Sequence, residues 1–418
     1  MRRNVSGVLH GRVVPPPSKS QAHRLLICAA LGTSPCKIAC SSVNDDIIAT
    51  MRSLNALGAS IEYSSGIFTV SPVRVVKGST LDCGESGSTL RFLLSVAAVL
   101  GADATFVGGG KLPQRPMGDL CNALSEHGMA FRRHSADELP LTCEGALRGG
   151  NYSLPGNISS QYLTGLLFAL PLAVEDSVIE VTGNMTSASY ISMTLDALRI
   201  AGIRIEQQGN IFKIKGNRQY RMPSDITVEG DWSSAAFWIT AGVTGKLPVT
   251  VGGMNSSSLQ GDSYVVEHLR SMGAFIETSE EGVKAMPSHL FGAELDCTDT
   301  PDLLPILSVA AAVAQGTTTF TGVGRLRFKE SDRLEAMRRT LASFGISSQV
   351  GEDTFTVFGG TPVVQGVVDS FGDHRIAMSA AVMSSLAQGI TAIDGAECVA
   401  KSYPSFFDDF EKLGGKVE

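Results

Sequence analysis

Residues 51–63 read MRSLNALGASIEY, a helix-like run that stops at Gly58 and gives way to a short strand-like run. Glycine takes a positive φ at no steric cost, so it ends a helix at the position just past the cap and turns the chain. The pattern returns as LCNALSEHGMAFR (120–132), TLDALRIAGIRIEQ (194–207), VVEHLRSMGAFIE (265–277), MRRTLASFGISSQ (337–349) and FFDDFEKLGGKVE (406–418). Its glycines are Gly58, Gly128, Gly202, Gly273, Gly345 and Gly414, separated by 70, 74, 71, 72 and 69 residues. Spacings this even define a repeat, and its period exceeds the roughly 20–50 residues of solenoid arrays.

A second kind of helix alternates with the first and is apolar nearly all round. Its copies are RLLICAALG (24–32), LRFLLSVAAVLG (90–101), YLTGLLFALPLAV (162–174), AAFWITAGVTG (235–245), LLPILSVAAAVAQG (303–316) and RIAMSAAVMSSLAQG (375–389). Helices of this kind are buried, whereas the first kind keeps a polar face. β-rich segments follow them, such as SVIEVTGN (177–184) and TTTFTGVG (317–324). Six such units predict an α/β protein of two lobes with three units each. The Pro, Gly and polar residues of RMPSDITVEGDWSSAAF (221–237) mark one crossing between lobes, and Pro15–Ser18 marks the other. The expected lobes are residues 18–228 and, discontinuously, 1–17 with 229–418.

Composition narrows the function. A chain of 418 residues with 43% apolar and 18% charged side chains reads as soluble, globular and two-domain. The formal charge of −7 invites neither nucleic acid nor anionic lipid, so an anionic ligand needs a local cluster of cations. Met1-Arg2-Arg3 leads into NVSGVLHGRVVPPP, which lacks the continuous apolar run of a secretory signal. The longest apolar runs fall short of the roughly 18 residues that span a bilayer. The eight cysteines are scattered with no C-x-x-C spacing, which predicts reduced thiols, a cytoplasmic setting and no metal site.

The buried helices open on SKSQAHR (18–24), ESGSTLR (85–91), NISSQY (157–162), GDWSSAA (230–236), TPDLL (300–304) and GDHR (372–375). Ser159, Ser160 and Ser233 read as ordinary caps. Lys19, Arg24, Arg91, Asp302, His374 and Arg375 exceed what a cap needs. A cation at a helix N-terminus is repelled by the dipole and calls for an anionic partner. FKESDRLEAM (328–337) adds Lys329, Glu330, Asp332 and Arg333, whose plainer reading is a salt-bridged turn capped by Ser331 or Asp332. GGGKLPQRPMGDL (108–120) adds Lys111 and Arg115; it has no G-K-[ST] and is no phosphate-binding P-loop. CVAKSYP (398–404) adds Lys401.

Taken jointly and in order, PPSKSQAHR, ESGSTLR, GNISSQYLTG, RFKESDR and GDHRIAM resemble the EPSP synthases (3-phosphoshikimate 1-carboxyvinyltransferases) of the enolpyruvyltransferase family. The resemblance covers essentially the whole chain. It implies a two-lobed enolpyruvyltransferase fold, an inside-out α/β barrel built of βαβαββ units, three per lobe. In that fold the buried helices point their N-termini into an inter-lobe cleft. The family's shikimate 3-phosphate site maps onto Lys19, Ser20, Arg24, Ser159, Ser160, Gln161, Ser187, Asp302 and Lys329, with Tyr190 lining the ring. Its phosphoenolpyruvate site maps onto Lys19, Gly87, Arg115, Gln161, Arg333, Arg375 and Lys401. Arginine forks match carboxylate and phosphate, which explains cations gathered on an acidic protein. The implied reaction joins the 5-hydroxyl to C2 of phosphoenolpyruvate and then expels phosphate. Asp302 is the expected base, with Glu330 and Lys19 delivering the C3 proton. No metal or other cofactor is expected.

Glu85 stands where many members have Asn, Ala188 where Lys is frequent, and Arg325 where an Asn touches substrate. Within the fold, the runner-up is UDP-N-acetylglucosamine enolpyruvyltransferase, whose members carry a reactive Cys in the loop matching Gly108–Pro116; this loop has none. An RNA 3′-phosphate cyclase needs nucleotide-handling residues that find no place here. A catalytically inactive binding relative is disfavoured because every catalytic position is filled. The expected partners are the two substrates, with glyphosate as inhibitor and the chain as a monomer.

Overall fold

The computed structural model describes residues 1–156, 159–360 and 363–418. It divides into two compact units, one continuous (Lys19–Val228) and one discontinuous (Met1–Ser18 with Glu229–Glu418). Ser18 belongs with the discontinuous unit rather than with the residues that follow it. Its N–H donates to Glu229 O at 2.7 Å and its Oγ to Gln260 Oε1 at 2.9 Å.

The continuous unit carries helices α1 (Lys19–Ala30), α2 (Asp45–Ala56), α3 (Gly87–Val99), α4 (Gly118–Ser125), α5 (Ser160–Ala169) and α6 (Ala188–Ile200). The discontinuous unit carries α7 (Trp232–Thr244), α8 (Val265–Ser271), α9 (Leu304–Val313), α10 (Arg333–Ser343), α11 (His374–Ser384) and α12 (Phe406–Lys412). The odd-numbered helices are buried nearly all round, as their apolar sequences require. The even-numbered ones keep a polar face, seen on α10 as Arg338 and Arg339 gripping Glu335.

The six repeat glycines all sit at positive φ, between 76° at Gly202 and 112° at Gly58. At Gly58 the next N–H, from Ala59, reaches back to Leu54 O at 3.1 Å, while Gly58 N–H bonds Asn55 O at 3.0 Å. That pair of bonds satisfies carbonyls left open at the helix end and turns the chain into its strand. Gly202, Gly273 and Gly345 repeat the arrangement.

Each of six four-stranded sheets found among the described residues has one topology. Two parallel strands lie beside a third that is antiparallel to them and to the fourth. In five sheets the last two form a hairpin, and in the sixth they are Arg2–Gly7 and Gly415–Val417, from opposite ends of the chain. Thus Thr80–Asp82 runs parallel to Ala104–Val107, which pairs with Leu141–Gly145 of the hairpin begun by Met129–Arg133. The units are closed circularly by strands distant in sequence. Asp225–Thr227 returns to flank Cys36–Ala39 in the continuous unit. In the discontinuous unit Gly11–Val13 joins the sheet of Val249–Val251, and Arg2–Gly7 completes that of Thr391–Asp394.

In the discontinuous unit α7, α9 and α11 pack on one another. In the continuous unit α3 packs most closely on α5, and α1 packs on α2 and α6. Gly165 permits the α3–α5 approach, because a Cβ there would lie 2.5 Å from Arg91 O. Among the described residues no helix is long and apolar enough to cross a membrane.

Candidate active site

In the continuous unit the motif residues gather at the starts of α1, α3 and α5. Lys19, the first residue of α1, pairs its Nζ with Asp46 Oδ2 at 3.0 Å. Arg24, one turn on, is 3% exposed. Its guanidinium donates to Thr194 Oγ1 (2.9 Å), Ser20 O (2.7 Å) and Tyr190 O (3.0 Å), and lies over the rings of Phe92 and Tyr190. Burial pushes the Arg24 guanidinium down to about 10, with Tyr190 and Cys28 opposing.

Ser86 caps α3 by accepting from Thr89 N, and Ser159 caps α5 by accepting from Gln161 N. Ser160 is the first residue of α5, and a pocket lined by Gly156, Ser159, Ser160, Met185 and Thr186 lies beside it. Asn157 and Ile158 of the same motif lie outside the described residues. Gln161 ties two helices together, accepting from Arg91 Nη1 at 2.7 Å and donating to Ser88 Oγ at 3.0 Å. Arg115 packs on Gly87: a Cβ added there would meet its Nη1 at 2.8 Å. Ser187 precedes α6 with φ 58°, a left-handed conformation uncommon for serine. The carboxylate of Glu85 lies against Gly110, and Ala188 opens α6.

In the discontinuous unit Arg333 is the hub. The first residue of α10, it is 1% exposed. Its Nε donates to Asp373 Oδ2 (2.9 Å), Nη1 to Asp302 Oδ1 (2.9 Å) and Nη2 to Glu330 Oε2 (2.8 Å). Burial works against its charge, but Asp373, Glu330 and Asp302 outweigh that and hold the guanidinium above its ordinary value. Asp302 lies in the 3₁₀ turn Pro301–Leu303 that leads into α9, and it meets three cations. Besides Arg333 these are Lys329 at 3.5 Å and Arg375 Nη2 at 3.3 Å. Desolvation lowers the Lys329 ammonium, with Asp302 opposing. Arg375, the second residue of α11, follows the cap Asp373 and also donates to Asp302 O at 3.1 Å. Lys401 is buried at the end of the 3₁₀ helix Ala396–Lys401. Arg325 is turned to the backbone oxygen of Thr298.

The sequence reading takes the cations as calling for an outside anion. In the discontinuous unit internal carboxylates answer much of that call. Of the partners, Asp46, Thr194 and Asp373 carry no local signal, because they lie 27, 170 and 40 residues from the groups they bind. The caps were partly legible: Ser159 and Asp332 are caps, whereas Ser160 and Ser233 are not, Asp231 capping α7 instead.

The architecture defines the class. The chain matches EPSP synthase from Acinetobacter baumannii with a TM-score of 0.82 and 25% identity, covering 100% of both chains. It shares the fold of the enolpyruvyl transferase NikO from Streptomyces tendae, with a TM-score of 0.79 at 19% identity over 100% of this chain and 98% of that one. This is the mixed α/β, two-domain enolpyruvyltransferase fold. The family model for EPSP synthase (3-phosphoshikimate 1-carboxyvinyltransferase) matches residues 4–410. The 3-phosphoshikimate 1-carboxyvinyltransferases of Clostridium kluyveri and Clostridium acetobutylicum are 41% and 40% identical, each over 98% of this chain and 96% of the relative. The chain belongs to the EPSP synthase family.

Proposed function

We propose that this chain transfers the enolpyruvyl group of phosphoenolpyruvate to the 5-hydroxyl of shikimate 3-phosphate. The products are 5-enolpyruvylshikimate 3-phosphate and inorganic phosphate. The observation that carries the reading beyond family membership is the Arg333 hub, which holds Asp302 and Glu330 among cations in one unit. Proton-handling carboxylates beside cations are what an addition–elimination on a phosphate ester requires.

In this reading Asp302 takes the proton from the 5-hydroxyl as its oxygen bonds to C2. Glu330 and Lys19 supply the proton that C3 gains. The tetrahedral adduct then loses a C3 proton and phosphate together, restoring the double bond. Arg24, Ser20, Ser159, Ser160, Gln161, Ser187 and Lys329 hold shikimate 3-phosphate; Gly87, Arg115, Gln161, Arg333, Arg375 and Lys401 hold phosphoenolpyruvate. Glyphosate acts as a competitor of phosphoenolpyruvate, the working form is a monomer, and the compartment is the cytoplasm, a placement supported by eight unpaired cysteines.

Purified chain given phosphoenolpyruvate with shikimate 3-phosphate should release phosphate and form the enolpyruvyl ether, read by mass spectrometry. Turnover with UDP-N-acetylglucosamine instead would overturn the reading.

A further inference from the structure

Ser233 is the second residue of α7, yet its hydroxyl does no capping; Asp231 accepts from Ser234 N at 2.8 Å in that role. Instead Ser233 Oγ bonds to Asp262 Oδ2, from the 3₁₀ turn Gly261–Tyr264. An ionised carboxylate only accepts, so the hydroxyl proton is committed to Asp262. The oxygen lone pairs are left for Arg375, whose Nη2 donates to Ser233 Oγ at 3.2 Å. The same Nη2 also donates to Asp302 Oδ2 at 3.3 Å, and Nη1 donates to Asp302 O at 3.1 Å. Asp262 is 4% exposed, and a carboxylate that deep needs a partner to offset its desolvation.

We propose that Asp262 is a positioning residue, which orients the Ser233 hydroxyl so that it braces Arg375 against Asp302. The proposal rests on the functional reading above, in which Arg375 holds phosphoenolpyruvate. On that reading the brace sets affinity for the phosphate-bearing co-substrate and not the rate of the chemical step. The charged groups facing Asp262 are Arg375 on α11, Asp302 in the turn before α9 and Asp231 at the start of α7, with the Cys297 thiol nearby. Burial pushes the Asp262 carboxyl up to about 6, Arg375 opposing and Asp302 and Asp231 adding. Above that pH the carboxylate is charged and the brace is set; below it the carboxyl protonates and the hydroxyl loses its fixed direction.

The test is steady-state kinetics on wild type, Ser233→Ala, Asp262→Asn and the double variant. Loss of one hydrogen bond to a charged group is worth roughly tenfold or somewhat more in affinity. Each single variant should raise the KM for phosphoenolpyruvate about tenfold, with kcat within about twofold of wild type. The double variant should be no worse than either single one, because both break one path. The ratio of variant KM to wild-type KM should fall toward one between pH 8 and pH 5.5, since the wild type loses its own carboxylate there. That ratio also cancels titration of the substrates. Unchanged KM, a fall in kcat alone, effects that multiply, or a ratio flat in pH would each overturn the proposal. Should Asp262→Asn fail to fold, Ser233→Ala carries the KM and pH tests by itself. No product from the wild type overturns the functional reading and this proposal with it; product with indifferent variants overturns this proposal alone.

Discussion

The two units open their buried helices with different chemistry. In the continuous unit α3 and α5 are capped by Ser86 and Ser159, and Arg24 and Arg91 are bonded to carbonyls, hydroxyls and an amide. In the discontinuous unit the buried α7 and α11 are capped by Asp231 and Asp373, the polar-faced α10 by Asp332, and Arg333 and Arg375 are bonded to carboxylates. Neutral partners satisfy the geometry of an arginine without cancelling its charge. Arg24 accordingly sits low, at about 10, while Arg333 is held above its ordinary value. Lys19, paired with Asp46, is the exception in the continuous unit. The contrast teaches that similar repeats meet their arginines differently, one with neutral acceptors and the other with carboxylates; in the proposed reaction the first set serves an incoming anion and the second fixes the acid and the base.

The division is broken most severely through Glu330. Arg333 already holds its Oε2, so Glu330→Gln keeps the shape and removes the proton-handling group. Turnover should fall roughly 10²–10⁴-fold, the usual worth of a general acid or base. Shikimate 3-phosphate affinity, measured by calorimetric titration, should stay near wild type. Wild-type turnover in this variant would remove Glu330 from the chemistry.

Arg24→Ala tests the other half. Charge-assisted hydrogen bonds are worth about 1.5–3 kcal/mol each, so the dissociation constant for shikimate 3-phosphate should rise on the order of tenfold to a hundredfold. Because Arg24 also ties α1 to Thr194 and Tyr190, the melting temperature should be followed alongside. An unchanged constant in a folded variant would place the phosphate elsewhere and undo the contrast drawn between the units.

How much of this was legible in the sequence depends on range. A helix end needing positive φ is a local demand with one good answer, so Gly58 and its five counterparts marked every repeat. The buried helices were readable for the same reason, through continuous apolar runs. The discontinuous lobe was expected, but the strand pairings that close each unit were not, because Arg2–Gly7 and Asp225–Thr227 find their sheets hundreds of residues away or nearly so. The polar site divided likewise. Cations standing at helix starts were visible as a local anomaly, but Asp46, Asp373 and Asp262 look like surface acids until the fold buries them beside Lys19, Arg333 and Ser233.

Gly87 offers a smaller and sharper test within the continuous unit. A methyl group there would press on Arg115 Nη1, the mobile end of a flexible side chain, so Gly87→Ala should fold normally while shifting that guanidinium. The expected outcome is a several-fold rise in the inhibition constant for glyphosate, about the size of other single-methyl discriminations. The KM for phosphoenolpyruvate should rise less. Equal changes in both would show that Gly87 does not separate inhibitor from substrate.

The least effect is expected from pH, and it sharpens the comparison by its sign. His23 of α1 is 1% exposed, edge-on to Phe92, and its Nδ1 meets Thr50 Oγ1 at 2.7 Å. Hydroxyls of Thr50, Thr89 and Ser86 continue the chain to the cap of α3, whereas His23 Nε2 has no hydrogen-bond partner among the described residues. Burial holds the imidazole well below its ordinary value, with Lys19 and Arg24 adding repulsion. A histidine lowered on folding contributes its full stability above the unfolded value of about 6.5 and loses it as pH drops below, by up to about 1.4 kcal/mol per pH unit. Asp262 in the discontinuous unit works the opposite way. Its raised carboxyl costs stability as pH climbs from the unfolded value toward about 6, so acid relieves it, while His268 in the same unit is also lowered by burial and offsets part of that relief. Acidification from pH 7.5 to 5.5 should therefore weaken the continuous unit first. Both tryptophans, Trp232 and Trp238, lie on α7, so their fluorescence follows only the discontinuous unit and should melt at or above the main calorimetric transition at pH 5.5. In His23→Gln the stability gap to wild type should shrink by about 1 kcal/mol over the same range. A gap independent of pH would mean that the buried imidazole is not what makes the continuous unit the acid-sensitive one.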